Sequence, residues 1–140
     1  MERKMIELVA AFIGIIAGAG GYLLATFWFQ PILKYREIRS QIISDIIFYA
    51  NAVKADGMND AFKQRVLDRM VANRRHSADL AACFHELPCL YRSYLMKIEE
   101  RPDNASVELM GLSNTSEWEA ASQRIDAIQK YLKIDPKVTR

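Results

Sequence analysis

The pattern of apolar and polar positions changes character once along this chain, near residue 30. Residues Leu8 to Phe29 form 22 consecutive positions without a charged side chain. Glu7 precedes the run, and Gln30, Pro31 and Lys34 close it. About 20 apolar residues suffice to cross a bilayer core of about 30 Å. The run therefore predicts a transmembrane anchor over residues 1–30. A cleaved signal peptide would need a basic start, a short apolar stretch and a small-residue cleavage site. Ala17-Gly18-Ala19 could serve as that site, but the start Met-Glu-Arg-Lys-Met-Ile-Glu mixes charges. Apolar side chains also continue past it through Tyr22, Leu23, Leu24 and Phe27-Trp28-Phe29. A retained anchor is the better reading, and the aromatic trio fits a belt at the headgroup level.

Beyond the run, strand alternation is absent and helical periodicity recurs. From Ile32 to about Lys54, apolar residues fall at Ile38, Ile42, Ile46, Tyr49 and Val53, with Ile43, Ile47 and Ala50 widening the stripe. This predicts a broadly buried helix. Pro31 suits its first position, where a missing N–H costs nothing, so the anchor should pass directly into it. Asp56-Gly57 ends the segment as a glycine C-terminus. A second helix opens at Asn59 or Asp60, either a good N-cap, with Phe62, Val66, Leu67, Met70 and Val71 on its apolar face. Ser77 is expected to cap a third, carrying Leu80, Ala81, Phe84 and Leu87. Pro88 must kink or restart it, and Leu90, Tyr91, Tyr94, Leu95 and Ile98 continue it. Pro102 to Thr115 reads as irregular, with at most a single turn through Val107-Glu-Leu-Met110 stopped by Gly111, which supplies a positive φ. Ser116-Glu-Trp-Glu119 matches a capping box for a last helix through Trp118, Ala121, Ile125, Ile128 and Leu132. The fold expected is all-α: one transmembrane helix, then an antiparallel bundle of about four helices over residues 31–140.

Within the anchor, Ala10, Gly14, Gly18, Gly21 and Ala25 recur at steps of four, four, three and four, and so share one helix face. Small residues let helices approach closely in lipid, and this face predicts a homo-oligomer. Arg3 and Lys4 precede the span while Lys34, Arg36 and Arg39 follow it, which places the C-terminal domain in the cytoplasm by the positive-inside rule. Cys83 and Cys89 lack a disulfide-rich spacing, in keeping with a reducing compartment. The triplets Asn104-Ala-Ser106 and Asn114-Thr-Ser116 match glycosylation acceptors but mean nothing there.

Little in the sequence points to catalysis. His76 and His85 are the only histidines and build no recognisable metal set, and the cysteines are six apart, which suits no common zinc pattern. Glu99-Glu100 and the other acids read as solvated faces. There is no phosphate loop, dinucleotide fingerprint or nucleophile elbow. The expectation is a protein that is not an enzyme and needs no cofactor or metal.

Charge separates the two halves of the domain. From Lys34 to His76 there are nine Lys/Arg against five Asp/Glu, and from Ser77 to Arg140 eight against ten. In the basic half, Arg65, Arg69 and His76 fall on one side of the second helix, with Arg74 and Arg75 closing it. Such a group can simply meet the helix dipole, attract anionic lipid headgroups or hold a phosphate-bearing ligand. A net charge of +2 gives little reason to expect nucleic acid.

The stretches Phe29-Gln-Pro31, Tyr35-Arg36-Glu37-Ile38-Arg39, Phe48-Tyr49-Ala50-Asn51, Ala78-Asp-Leu80-Ala81 and Leu109-Met-Gly111-Leu112-Ser113-Asn114 carry a resemblance over nearly the whole chain. It resembles a family of small uncharacterised bacterial single-pass membrane proteins with a cytoplasmic helical domain, a likeness that implies no activity. The overall plan is also similar to CRISPR-associated, cyclic-oligoadenylate-sensing membrane effectors, in architecture alone. Three functions follow as expectations. The first is an inner-membrane protein whose helical domain self-associates or binds a protein partner. The second is an oligomeric effector gated by a small anionic nucleotide at Arg65, Arg69, Arg74 or Arg75. The third is an accessory subunit of a larger membrane complex.

Overall fold

A single helical rod carries the chain from its first residues into the core of the domain. The computed structural model describes residues 2–50, 52 and 59–138. The rod comprises α1 (Glu2–Leu24), one wide turn of π-helix (Ala25–Phe29) and α2 (Gln30–Phe48). Its cause is local. Pro31 has no N–H to give the carbonyl four residues back, and its ring crowds that carbonyl. The chain absorbs the conflict by widening one turn, so that the Gln30 N–H bonds to the Ala25 carbonyl, five residues back. The apolar helix thus passes into the domain without a loop. The rod is long and apolar enough to cross a membrane, and its most apolar window touches nothing else in the protein.

Four further helices follow: α3 (Asp60–Glu86), α4 (Cys89–Lys97), α5 (Pro102–Ser113) and α6 (Trp118–Tyr131), with a short 3-10 turn at Pro136–Val138. Among the described residues there is no strand. α5 packs chiefly on α3 and next on α6, and α2 packs on α3. Each pairing is antiparallel. Along α2, Lys34 and Asp45 meet Glu86 and His76 of α3. Along α5, Ser106 and Leu112 meet Ser77 and Arg69 of α3. Glu108 of α5 meets Arg124 of α6.

The core is built from Tyr35, Ile38, Ile42 and Ile46 of α2, Leu80 and Cys83 of α3, Leu95 of α4, Ala105, Leu109 and Leu112 of α5, and Ala121 and Ile128 of α6. The α2 face is narrower than its sequence suggests, since Ile47 is exposed. The expected end of that helix at Asp56-Gly57, with Val53 and Lys54, lies outside the described residues. Leu67, Val71, Leu90, Tyr94 and Trp118 also stand in the open.

Four local expectations are corrected. Ser77 caps no helix: it sits buried inside the unbroken α3, where its hydroxyl donates to the Ser106 carbonyl at 2.7 Å. Pro102 to Ser113 is a regular helix. Pro102 takes its first turn, as proline favours, and Ala105, Ser106, Leu109, Leu112 and Ser113 make a buried stripe at helical spacing. Gly111 therefore has helical backbone without a positive φ. Its lack of a Cβ matters instead because the Arg124 guanidinium lies against it, 2.1 Å from where that atom would stand. The capping box does not form, because α6 begins at Trp118 with Glu117 in the cap position and no side-chain cap bond. Two other signals hold. The Asn59 side chain accepts the Phe62 N–H at 3.0 Å, and extended backbone at Leu87 and Pro88 restarts the chain as α4.

Candidate functional site: the clasp on the anchor helix

α2 belongs both to the rod and to the bundle core, so whatever grips α2 governs how the apolar rod meets the domain. Three of its side chains do the gripping. The buried Tyr35 hydroxyl donates to the Glu100 carboxylate, just beyond the end of α4. Arg39, one turn on, donates to the Leu132 carbonyl through Nε and Nη2 at 3.0 and 2.8 Å, and to the Lys133 carbonyl at 3.1 Å. A guanidinium here satisfies unpaired carbonyls at the end of α6 and meets the negative end of its dipole. Its Nε also lies 3.5 Å from Glu100. Further along, the Asp45 carboxylate pairs with His76 Nε2 of α3 at 2.7 Å.

Two helix ends are shaped to complete this clasp. At the end of α4 the Glu100 N–H bonds to Leu95 O, and the Glu99 N–H to Met96 O. At the end of α6 the Ile134 N–H bonds to Gln129 O, and the Lys133 N–H to Lys130 O. Both are Schellman closures, which need a left-handed residue after the cap and usually use glycine. Here Glu99 and Lys133 take that conformation, with φ of 59° and 50°. The closures turn Glu100 and the α6 carbonyls towards α2. The Arg101 N–H then ties the α4–α5 link to the Tyr131 carbonyl at 2.8 Å.

Burial sets the electrostatics of the clasp. Removal from water pushes the Tyr35 phenol well above its ordinary range, and the Glu100 hydrogen bond and charge push it further. Near the rod, burial also raises the Cys83 thiol. The arrangement contains no nucleophile beside a base. Chemically it is a mechanical joint, which fixes the rotation and depth of α2 in the bundle.

The expected anion face is not assembled as one surface. Arg69 turns inward, donating to the Thr115 carbonyl at 2.8 Å and more weakly to Leu112, so it holds the end of α5. Burial lowers its pKa, and its Nε is left without a protein partner. Beside it lies a cavity of about 10 Å³ lined also by Asp45, Tyr49 and Asn73, room for a single water. Arg74 donates to Asn114 Oδ1 at 2.8 Å, Arg75 pairs with Asp79 at 3.6 Å, and His76 is engaged by Asp45. Arg65 is exposed. Four of the five residues are thus engaged within the fold.

The small anchor residues are placed otherwise. A Cβ on Gly14, Gly18 or Gly21 would meet nothing within 4 Å, and Ala10 and Ala25 are exposed. The face they share is therefore not used within the protein. Glu100 is a correction of another kind, since the pair read as a solvated face splits: Glu99 is exposed and Glu100 is buried. Tyr35 and Arg39 had a readable signal, lying on the same face as Ile38 and Ile42. Their partners are 65 and 93 residues away, beyond the reach of periodicity.

Comparison with protein-family models, with curated proteins and with solved structures finds no match to this chain.

Proposed function

We propose that this chain is a non-enzymatic, single-pass protein of the bacterial inner membrane, with its helical domain on the cytoplasmic side. In this reading it acts by self-association through the anchor and by presenting the bundle to copies of itself or to a protein partner. One observation carries the proposal. The rod from Glu2 to Phe48 is wholly uncovered in its apolar first half and clasped in its second. A helix that served only as a tether would need no such joint, whereas one that orients the domain does. The uncovered small-residue face supplies a surface on which two rods can pack closely. Gly14→Leu with Gly18→Leu tests this in a membrane two-hybrid assay, where association should be lost while the protein still fractionates with membranes. Unchanged association would overturn the role of this face. Release of the wild-type chain by alkaline carbonate would overturn the anchor itself.

A further inference from the structure

The elbow between α3 and α4 sits where a membrane surface would be. The Cys83 thiol lies 3.8 Å from the Pro31 carbonyl, Lys34 bonds to Glu86 at 3.0 Å, and the Tyr91 ring meets Tyr35 edge-on at 6.3 Å. The elbow is thus packed alongside residues 31–35 of the rod. At about 1.5 Å of rise per residue, those positions lie about 3–9 Å beyond Phe29. The headgroup zone on each side of a bilayer is about 5–8 Å deep, from a core of about 30 Å within a total of about 40–45 Å. If Phe29 marks the edge of the hydrocarbon, the elbow lies in the headgroup layer.

The side chains exposed at this level fit that surroundings. Leu90 is 67% exposed, Tyr94 54% and Leu33 62%. Leu90 and Tyr94 are four apart and share the outer face of α4, while its inner face holds Tyr91 and Leu95. A Tyr with an apolar body and polar tip, beside an exposed Leu, suits a bilayer interface. The charges agree. Arg36, just past these positions, is exposed and Arg92 half-buried; of the acids nearby, Glu86 is bound by Lys34 and the exposed Glu37 meets Gln41.

We propose that the α3–α4 elbow is a second membrane contact, in which Leu90 and Tyr94 enter the headgroup layer and Arg36 and Arg92 face anionic lipid phosphates. The proposal rests on the reading of residues 8–29 as a membrane span. It gives the domain two points of attachment to one surface, the rod and the elbow, and so fixes its tilt as well as its depth.

The chain carries its own probe site, because Cys89 is exposed next to Leu90 while Cys83 is buried. A nitroxide placed on Cys89 of the full-length protein, in vesicles of phosphatidylethanolamine with a minority of phosphatidylglycerol, reports collisions with oxygen and with a water-soluble nickel chelate. Two comparison labels are placed in a Cys89→Ser background. Ile16→Cys marks the middle of the span. Ser122→Cys marks the far end of the bundle, one turn from Ile125, which lines the same cavity as Asp45. The expected result is nickel-chelate access at Cys89 several-fold lower than at Ser122→Cys, rising several-fold when Leu90 is changed to Ser. Equal access at Cys89 and Ser122→Cys, with Ile16→Cys still buried in lipid, would overturn the elbow contact and leave the anchor intact. Free access at Ile16→Cys would overturn the span and the elbow together.

Discussion

Glu99 and Lys133, the only described residues other than glycine with a positive φ, are paired with each other, Lys133 Nζ lying 3.2 Å from Glu99 Oε2. One closes α4 and the other closes α6, so the two strained corners of the clasp stand side by side. A left-handed conformation costs an L-residue about 1–2 kcal/mol, and the pair that links them is too exposed to repay much of that.

Replacing either residue with glycine should therefore stabilise the protein. Glu99→Gly or Lys133→Gly relieves the backbone, loses a surface ion pair and adds some entropy to the unfolded chain. The expected net gain is about 0.5–1 kcal/mol for each, read as a rise in the urea midpoint of the detergent-solubilised chain. A loss at both positions would mean that the ion pair contributes more than its exposure suggests.

The Tyr35–Glu100 contact makes stability fall in alkali. The tyrosine's pKa is raised in the folded state, while in the unfolded chain it ionises near its ordinary value of about 10. Above that pH the unfolded state binds fewer protons than the folded one, so stability declines as pH rises. Below it, the contribution of the contact is fully present. Tyr35→Phe should flatten this alkaline decline and, by leaving Glu100 without its hydroxyl donor, lower stability near neutrality by about 1–3 kcal/mol. Phenolate absorbance provides a second reading. The Tyr35 share of the signal should appear only as the protein unfolds, and that share should be missing in Tyr35→Phe.

Gly111→Ala distinguishes a packed helical glycine from a left-handed one. The added methyl collides with the Arg124 guanidinium, the movable end of a long side chain, and displaces it from Glu108, which it meets at 2.9 Å. Loss of a partly exposed pair costs up to about 1 kcal/mol, and alanine in a helix regains about 0.5–1 kcal/mol. The substitution should leave stability within about 1 kcal/mol of the wild type. Glu108→Gln should then cost nothing further in the Gly111→Ala background, and a few tenths of a kcal/mol, at about the usual value of such pairs, in the wild type. A large loss from Gly111→Ala alone would show that Arg124 cannot move aside.

The helices that the sequence made legible are those whose local and tertiary signals agree. Asn59 caps α3 with its own side chain, Pro88 stops that helix by its own ring, and Ile38, Ile42 and Ile46 repeat at four and are buried. The misread segments are those whose polar residues are satisfied from elsewhere. Asn73 to Ser77 looks like a break between helices, yet α3 runs through it because Asp45 takes His76 and the Ser106 carbonyl takes Ser77. α5 looks like a loop because its stripe mixes Ala and Ser with Leu; small side chains there let α3 and α6 approach from both sides. The basic group on α3 was legible as charge but not as direction, since only the position of α5 shows that Arg69 turns inward.

The wide turn before Pro31 sets the rotation of the anchor relative to the bundle, and it can be removed and restored. Pro31→Ala takes away the missing N–H and the ring clash that favour a π-turn. Relaxing Ala25–Phe29 to α-helix without shortening the chain turns the anchor by roughly one residue, about 100°. The small-residue face would then turn away from its present direction relative to the clasped side of α2. Deleting Thr26 in the same variant removes the extra residue that the wide turn accommodates and brings the face back. If the joint couples anchor packing to domain presentation, association measured by energy transfer in vesicles should weaken several-fold in Pro31→Ala and recover in the double variant. The urea midpoint should stay unchanged in both, since the core contacts of α2 begin beyond the turn. Equal association in all three proteins would show that the anchors pair without regard to the orientation of the domain.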